Sequence, residues 1–82
     1  VKVDILKAIA DPSRLSLLRA LRRCELCACV LPAVVKKTQP TVSSHLKVLR
    51  KAGLADMRKE GVKRLYSLSP LGKKVFDQIS RW

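Results

Sequence analysis

Apolar residues recur at helical spacing through the first fifty positions of this chain and again at its end, with a stretch of two-residue alternation between. In "VKVDILKAI", Val1, Ile5 with Leu6, and Ile9 predict a first helix. "DPSRLSLLRALRR" predicts a second. Asp11 is suited to cap its N-terminus and Pro12 to open it, since a first-turn proline sacrifices no intrahelical bond, and Leu15, Leu18 and Leu21 stand three apart. The segment "CELCACVLP" is expected to open a third helix, with Leu31, Val34 and Val35 on its apolar side and an end near Lys37. Pro32 must then lie in the first turn or kink the helix. "TQPTVSSHLKVLRKAG" reads as a fourth, capped by Thr38, with Pro40 in its first turn, Gly53 stopping it, and Val42, Leu46 and Leu49 on one buried stripe.

The period then changes. "LADMRKEGVKRLYSL" gives two short strand-like runs around a turn supplied by Gly61, with Arg58, Lys59, Lys63 and Arg64 at the tip. Ser69 and Pro70 start a last helix whose stripe is Leu71, Val75, Ile79 and Trp82, with Phe76 beside it. Three helices, a helix with both ends marked, a hairpin and a closing helix make a mainly α chain with a small β-hairpin wing, the order of a winged helix-turn-helix. The helix-turn-helix is expected over about residues 26–52, with "KKT" as its turn, and the wing over about 54–68. The outer helices, about 1–9 and 70–82, carry more apolar surface than one small domain can bury, and are expected to form a homodimer.

Composition narrows the function. At 82 residues the chain is one domain, and 48% hydrophobic content excludes a disordered basic tail. Eighteen Lys and Arg against six Asp and Glu leave +12, the charge of a protein that binds a polyanion. No apolar run approaches the ~20 residues of a membrane span, and the charged N-terminus lacks a signal-peptide core, so a cytoplasmic location with no membrane contact is expected. Catalysis is not: a Ser or Cys nucleophile would need His45, the only histidine, as its base, and no glycine-rich phosphate loop exists.

Two groups of residues carry candidate chemistry. The fourth helix has no acid, and its outer face mixes hydroxyls with lysines, which suits double-stranded DNA. Recognition helices read base edges from their N-terminal part, so Gln39, Thr41, Ser43 and Ser44 are expected near bases, with His45 and Lys47 nearer phosphates. Lys59, Lys63 and Arg64 of the wing are expected to clamp the backbone, since a point charge positions without specifying sequence. The other group is Cys24, Cys27 and Cys29, three thiols within six positions. Soft thiolates select soft ions such as As(III), Sb(III), Cd(II), Pb(II) or Hg(II), and three of them suit a trigonal site; a structural zinc would want a fourth ligand. No permanent cofactor is expected. On a regular helix Cys27 and Cys29 would point about 200° apart, so an ion held by all three would have to distort the start of the third helix.

Together "DPSRLSLLRAL", "ELCAC", "TQPTVSSHLKVLRKAGL" and "RKEGVKRLYSL" resemble the ArsR/SmtB family of arsenic- and metal-sensing repressors, over roughly residues 8–68. The resemblance implies a homodimeric winged helix-turn-helix repressor that leaves its operator, expected to be an inverted repeat, when an ion binds. It also implies that Cys27 and Cys29 match the family's ligand pair. The chain departs from the pattern at Val30, where the family usually has aspartate, and at Pro32, where a third cysteine often stands; Cys24 lies upstream instead. The family's other site, of His and carboxylates on the last helix, is excluded because the only histidine is His45. Three readings therefore stand: a repressor released by a thiolate-bound ion, a repressor that senses redox state through the same thiols, and a DNA-binding protein without effector whose cysteines only pack.

Overall fold

Residues 3–81 are described by the computed structural model; Val1 and Trp82, which the sequence assigns to the apolar stripes of the outer helices, lie outside them. The elements are α1 (Val3–Ile9), α2 (Pro12–Arg23), β1 (Leu26–Cys27), α3 (Leu31–Val35), α4 (Gln39–Lys51), β2 (Ala55–Glu60), β3 (Lys63–Leu68) and α5 (Pro70–Ile79).

The capping chemistry explains where the helices start. Asp11 accepts hydrogen bonds from the backbone N–H groups of Ser13 (2.8 Å) and Arg14 (3.1 Å), satisfying donors that the first turn of α2 leaves unpaired. Ser69 does the same for α5: its hydroxyl accepts from Gly72 N–H at 2.9 Å and donates to the Gly53 carbonyl at 2.7 Å. Thr38 occupies the N-cap of α4 but makes no capping bond; its hydroxyl donates to that of Thr41 instead (2.9 Å). The turn between α3 and α4 is made by Lys36 in the left-handed conformation (φ 57°, ψ 48°), an unusual state for a residue with a side chain.

The core is aliphatic. Leu17, Leu18 and Leu21 of α2 pack with Leu31, Val42, Leu46, Leu49 and Leu54 beneath the sheet residues Tyr66 and Leu68. On α2 the deepest positions are Leu17, Leu18 and Leu21, and Leu15 is only partly buried: the stripe is rotated from the three-apart reading because α1, α3, α4, α5 and β3 surround this helix on more than one side. Helix α5 rides close over the backbone at Leu54. A Cβ at Gly72 would overlap the Leu54 carbonyl oxygen and stand 3.0 Å from its carbonyl carbon, so the missing side chain permits the approach.

The segment around the cysteines, expected to open a helix, is not helical. Leu26 and Cys27 form an edge strand that pairs antiparallel with β3, Leu26 opposite Tyr66 and Cys27 opposite Leu65, giving a three-stranded sheet of order β1-β3-β2 in place of a two-stranded hairpin. Residues 28–30 turn, and α3 begins only at Leu31, with Pro32 in its first turn. The physical reason is competition for backbone groups. Strand β3 offers one free edge, and the carbonyl of Arg64 takes the N–H of Ala28 at 2.9 Å.

Candidate nucleic-acid interface and thiol site

Helix α4 buries Val42, Leu46 and Leu49 and leaves Gln39, Ser43, Ser44 and Lys47 exposed, with Thr41 half-buried. The Gln39 side-chain amide donates to the Ser43 hydroxyl at 3.1 Å, so these two residues sit side by side on the exposed N-terminal turns. Lys59, Lys63 and Arg64 are exposed on the wing, where Gly61 (φ 62°) makes the turn and Val62 projects fully into solvent at the tip.

His45 is set apart from this face. Its side chain is 17% exposed and turned toward the start of α2, with Nε2 4.0 Å from the Asp11 carboxylate and Nδ1 3.2 Å from an Arg14 guanidinium nitrogen. That guanidinium also donates to the carbonyls of Ala8 (2.7 Å) and Lys7 (3.0 Å) at the end of α1. One arginine therefore fastens α1, α2 and α4 together, and the histidine is the part of α4 it holds. Asp11, accepting the Arg14 and Ser13 N–H groups, stays below the usual carboxylate range. Nothing in the sequence singles out Arg14, since a lone arginine on a helix says nothing of what it will reach.

Arg58, at the wing by sequence, is spent within the protein. Its guanidinium grips Glu25 through two bonds of 2.8 Å and Glu60 at 2.9 Å, holding the Glu25 carboxyl below its ordinary range. The clamp ties the cysteine segment to β2 just as the backbone pairing ties it to β3.

Of the three thiols, the structure brings two together. Cys27 ends β1 and Cys29 lies in the following turn, where the Cys29 N–H points at the Cys27 sulfur (3.3 Å). Hydrogen bonding from Cys29, first by its thiol and then by its N–H, holds the Cys27 thiol below the usual thiol range, with Lys63 adding positive charge; the same pairing pushes Cys29 up. Cys24 follows the last residue of α2 in extended conformation, exposed and apart. Among the described residues no three His, Cys, Asp or Glu side chains gather closely enough to hold a metal ion; Cys27 and Cys29 are the two thiols in contact. Because their segment is not helical, the 200° divergence expected of a helix does not arise.

A groove of about 460 Å³ runs between the pair, α4 and the wing, lined by Cys27, Cys29, Gln39, Ser43, Lys63 and Arg64 among others. A second, of about 480 Å³, lies between α1, α2 and α5 and is lined largely by Ile9, Leu15, Phe76 and Ile79. No helix among the described residues is long and apolar enough to cross a membrane.

A helix-turn-helix with a basic wing, on a chain of this charge, defines a DNA-binding regulator. The model of a family described as bacterial regulatory protein, arsR family, matches residues 11–57. An arsenical resistance operon repressor of Staphylococcus xylosus is 46% identical over 65 residues, covering 79% of this chain and 62% of that protein. An uncharacterised HTH-type transcriptional regulator of Methanocaldococcus jannaschii is 44% identical over 64 residues, covering 77% and 72%. Among solved structures, HlyU from Vibrio cholerae superposes with a TM-score of 0.87 at 35% identity, over 96% of this chain and 87% of that one. The chain belongs to the ArsR family and stands among the ArsR/SmtB-type transcriptional repressors, which bind DNA and are not enzymes. It spans between 50% and 72% of the length of the curated relatives it matches.

Proposed function

We propose that this protein is a cytoplasmic, homodimeric repressor whose release from its operator is triggered by a soft ion bound at Cys27 and Cys29, with As(III) the leading candidate and Sb(III), Cd(II), Pb(II) and Hg(II) of the same chemistry. The observation that carries it is the neighbouring placement of those two thiols, in a segment paired to the wing strand. Two sulfurs supply two bonds to the ion. Cys24 can complete a three-thiolate site only if the backbone between Cys24 and Cys27 moves, which strains the Glu25–Arg58 clamp. Titration of the reduced protein with As(III), Cd(II) and Zn(II), followed by near-ultraviolet thiolate absorption, tests the assignment. Saturation by As(III) at one ion per chain supports it, and no absorption change with any of the three would sink it.

A redox reading is favoured by one observation, the hydrogen bond from the Cys29 N–H that favours the Cys27 thiolate beside a second thiol. Under it, oxidant alone would release DNA and reductant would restore binding.

Gln39, Thr41, Ser43 and Ser44 are the proposed base-reading positions, and Lys47, Lys59, Lys63 and Arg64 the phosphate contacts. His45 is better explained as the residue that seats α4 on Arg14. The two roles separate by salt. Replacing Lys63 and Arg64 with Ala is expected to weaken binding to all sequences alike and lower the logarithmic salt slope by about 0.9 for each phosphate no longer neutralised. His45→Ala is expected to weaken binding with the slope unchanged, measured by fluorescence anisotropy between about 50 and 200 mM salt, the range over which such slopes are close to linear.

The α1–α2–α5 groove, with Leu6 and Leu71 exposed at 51% and 41%, supports the reading as a dimer. Sedimentation is expected to show a dimer at micromolar concentration, and a clean monomer there would count against it. The operator is then an inverted repeat with half-sites about one DNA turn apart.

A further inference from the structure

The groove between α4 and the wing joins the DNA-reading face to the thiol pair. A duplex separates its major from its minor groove by a single sugar–phosphate strand. A protein that sets a helix into one groove and a wing against the next must therefore take that strand into the concavity between them. Here the concavity has Gln39 and Ser43 on the helix side and Lys63 and Arg64 on the wing side, and no carboxylate among its lining residues. Those four side chains are of the kind that contact phosphate, facing one another across the concavity. Leu46, Val62, Tyr66 and Ala28 add apolar floor, and the thiol pair completes the wall, with Cys29 exposed and Cys27 half-buried.

We propose that the DNA backbone strand runs directly over Cys27 and Cys29, so that anything bonded to these thiols and the DNA exclude one another from the same groove. Resting on the reading of the pair as the sensor, this makes release an occlusion instead of a distortion transmitted from a distance. Arsenite illustrates the step. Two thiols react with As(OH)₃, each thiol proton leaving with one hydroxyl as water. Two S–As bonds replace two As–O bonds, no electrons are transferred, and the arsenic keeps its third hydroxyl, which stands in the channel. Phenylarsine oxide makes the same two S–As bonds with loss of one water and places a whole ring there.

Occlusion and coupling at a distance differ in form. When two ligands exclude each other, the apparent Kd for DNA rises in proportion to free arsenite without limit. Coupling between separate sites reaches a plateau, typically about 5- to 150-fold. The experiment measures anisotropy of a labelled duplex, selected from a random pool by the protein itself, against rising arsenite and phenylarsine oxide. A second arm uses no inducer. With that duplex at about ten times its Kd, labelling of Cys27 and Cys29 by N-ethylmaleimide should slow about tenfold. Cys24, outside the groove, should keep its free rate, read by peptide mass mapping. In a Cys24→Ser chain the maleimide adducts themselves should abolish DNA binding.

A plateau in the first arm, with Cys27 and Cys29 labelled at their free rates on DNA, would overturn occlusion while leaving the thiol sensor standing. Protection of the pair without any response to arsenite would uphold the shared groove and remove the sensor. Equal protection of all three cysteines would also count against the proposal, since it would reflect general burial and not the channel.

Discussion

Cys27→Ser and Cys29→Ser each remove the response to As(III) while leaving operator affinity in the ion-free state close to the parent's; this is the expected result of losing one of two ligands. Serine is slightly smaller than cysteine, and the free-state bonds to β3 run through the main chain, Ala28 N–H to Arg64 carbonyl above all. The base-reading side chains of α4 are therefore untouched, and a serine adds no bulk to the channel wall. The inducer, by contrast, falls from two sulfurs to one, which forfeits the chelate. Cys24→Ser is expected to retain the response, because Cys24 stands outside the pair. The same pair predicts a split in reactivity. As pH rises, Cys27 should be alkylated first, at a pH below the ordinary thiol range, because the Cys29 hydrogen bonds and Lys63 favour its thiolate; Cys29 should follow only above that range. If Cys27→Ser and Cys29→Ser both respond to As(III) like the parent, the thiols are packing residues and the protein takes its signal elsewhere.

The second large effect concerns the fold. Gly72→Ala places a methyl group inside the space of the Leu54 carbonyl, a backbone atom that cannot rotate away. Alanine is favoured over glycine in a helix interior by about 1 kcal/mol, so propensity alone predicts stabilisation. Overpacking costs about 1–3 kcal/mol and occasionally more, and a clash with main chain belongs at the upper end. The carbonyl at risk also accepts the Ser69 N–H at 3.1 Å, so lifting α5 breaks the cap that starts it. A net loss of about 2 kcal/mol is expected, read as a lower urea midpoint. The exposed neighbours Lys73→Ala and Lys74→Ala serve as controls and should change stability little.

The parts of this fold that were legible in the sequence are those decided locally. Asp11-Pro12 and Ser69-Pro70 carry their helix starts in their own chemistry, and the Val42, Leu46, Leu49 stripe survives unchanged as the buried side of α4. What was not legible depends on partners distant in the chain. Glu25-Leu26-Cys27 has no strand pattern of its own; two residues become a strand because Leu65 and Tyr66 present an open edge. Arg58 looked like a wing cation until Glu25, far back in the chain, claimed it. His45 looked like part of the outer face, and only the position of Arg14 on α2 turns it inward. The candidate thiols divide the same way. Their types and spacing were in the sequence, but which two meet was settled by the sheet.

The pairing of Leu26 with Tyr66 has a consequence in time. A chain emerging from the ribosome delivers both cysteines well before β3 exists, so the thiol site cannot assemble until the wing has been made and has folded back onto the segment. Pairings of such sequence separation form late, because loop closure must come before they can reward it. Newly made protein thus passes through an interval in which its helices can form while the thiols are unpaired with the sheet and open to whatever the cell offers. An ion captured then meets a flexible loop and not a preorganised pair, and holds it less firmly. With the pair as the proposed sensor, responsiveness would be acquired with the last strand, and the regulator would respond only to ligands it meets once folded.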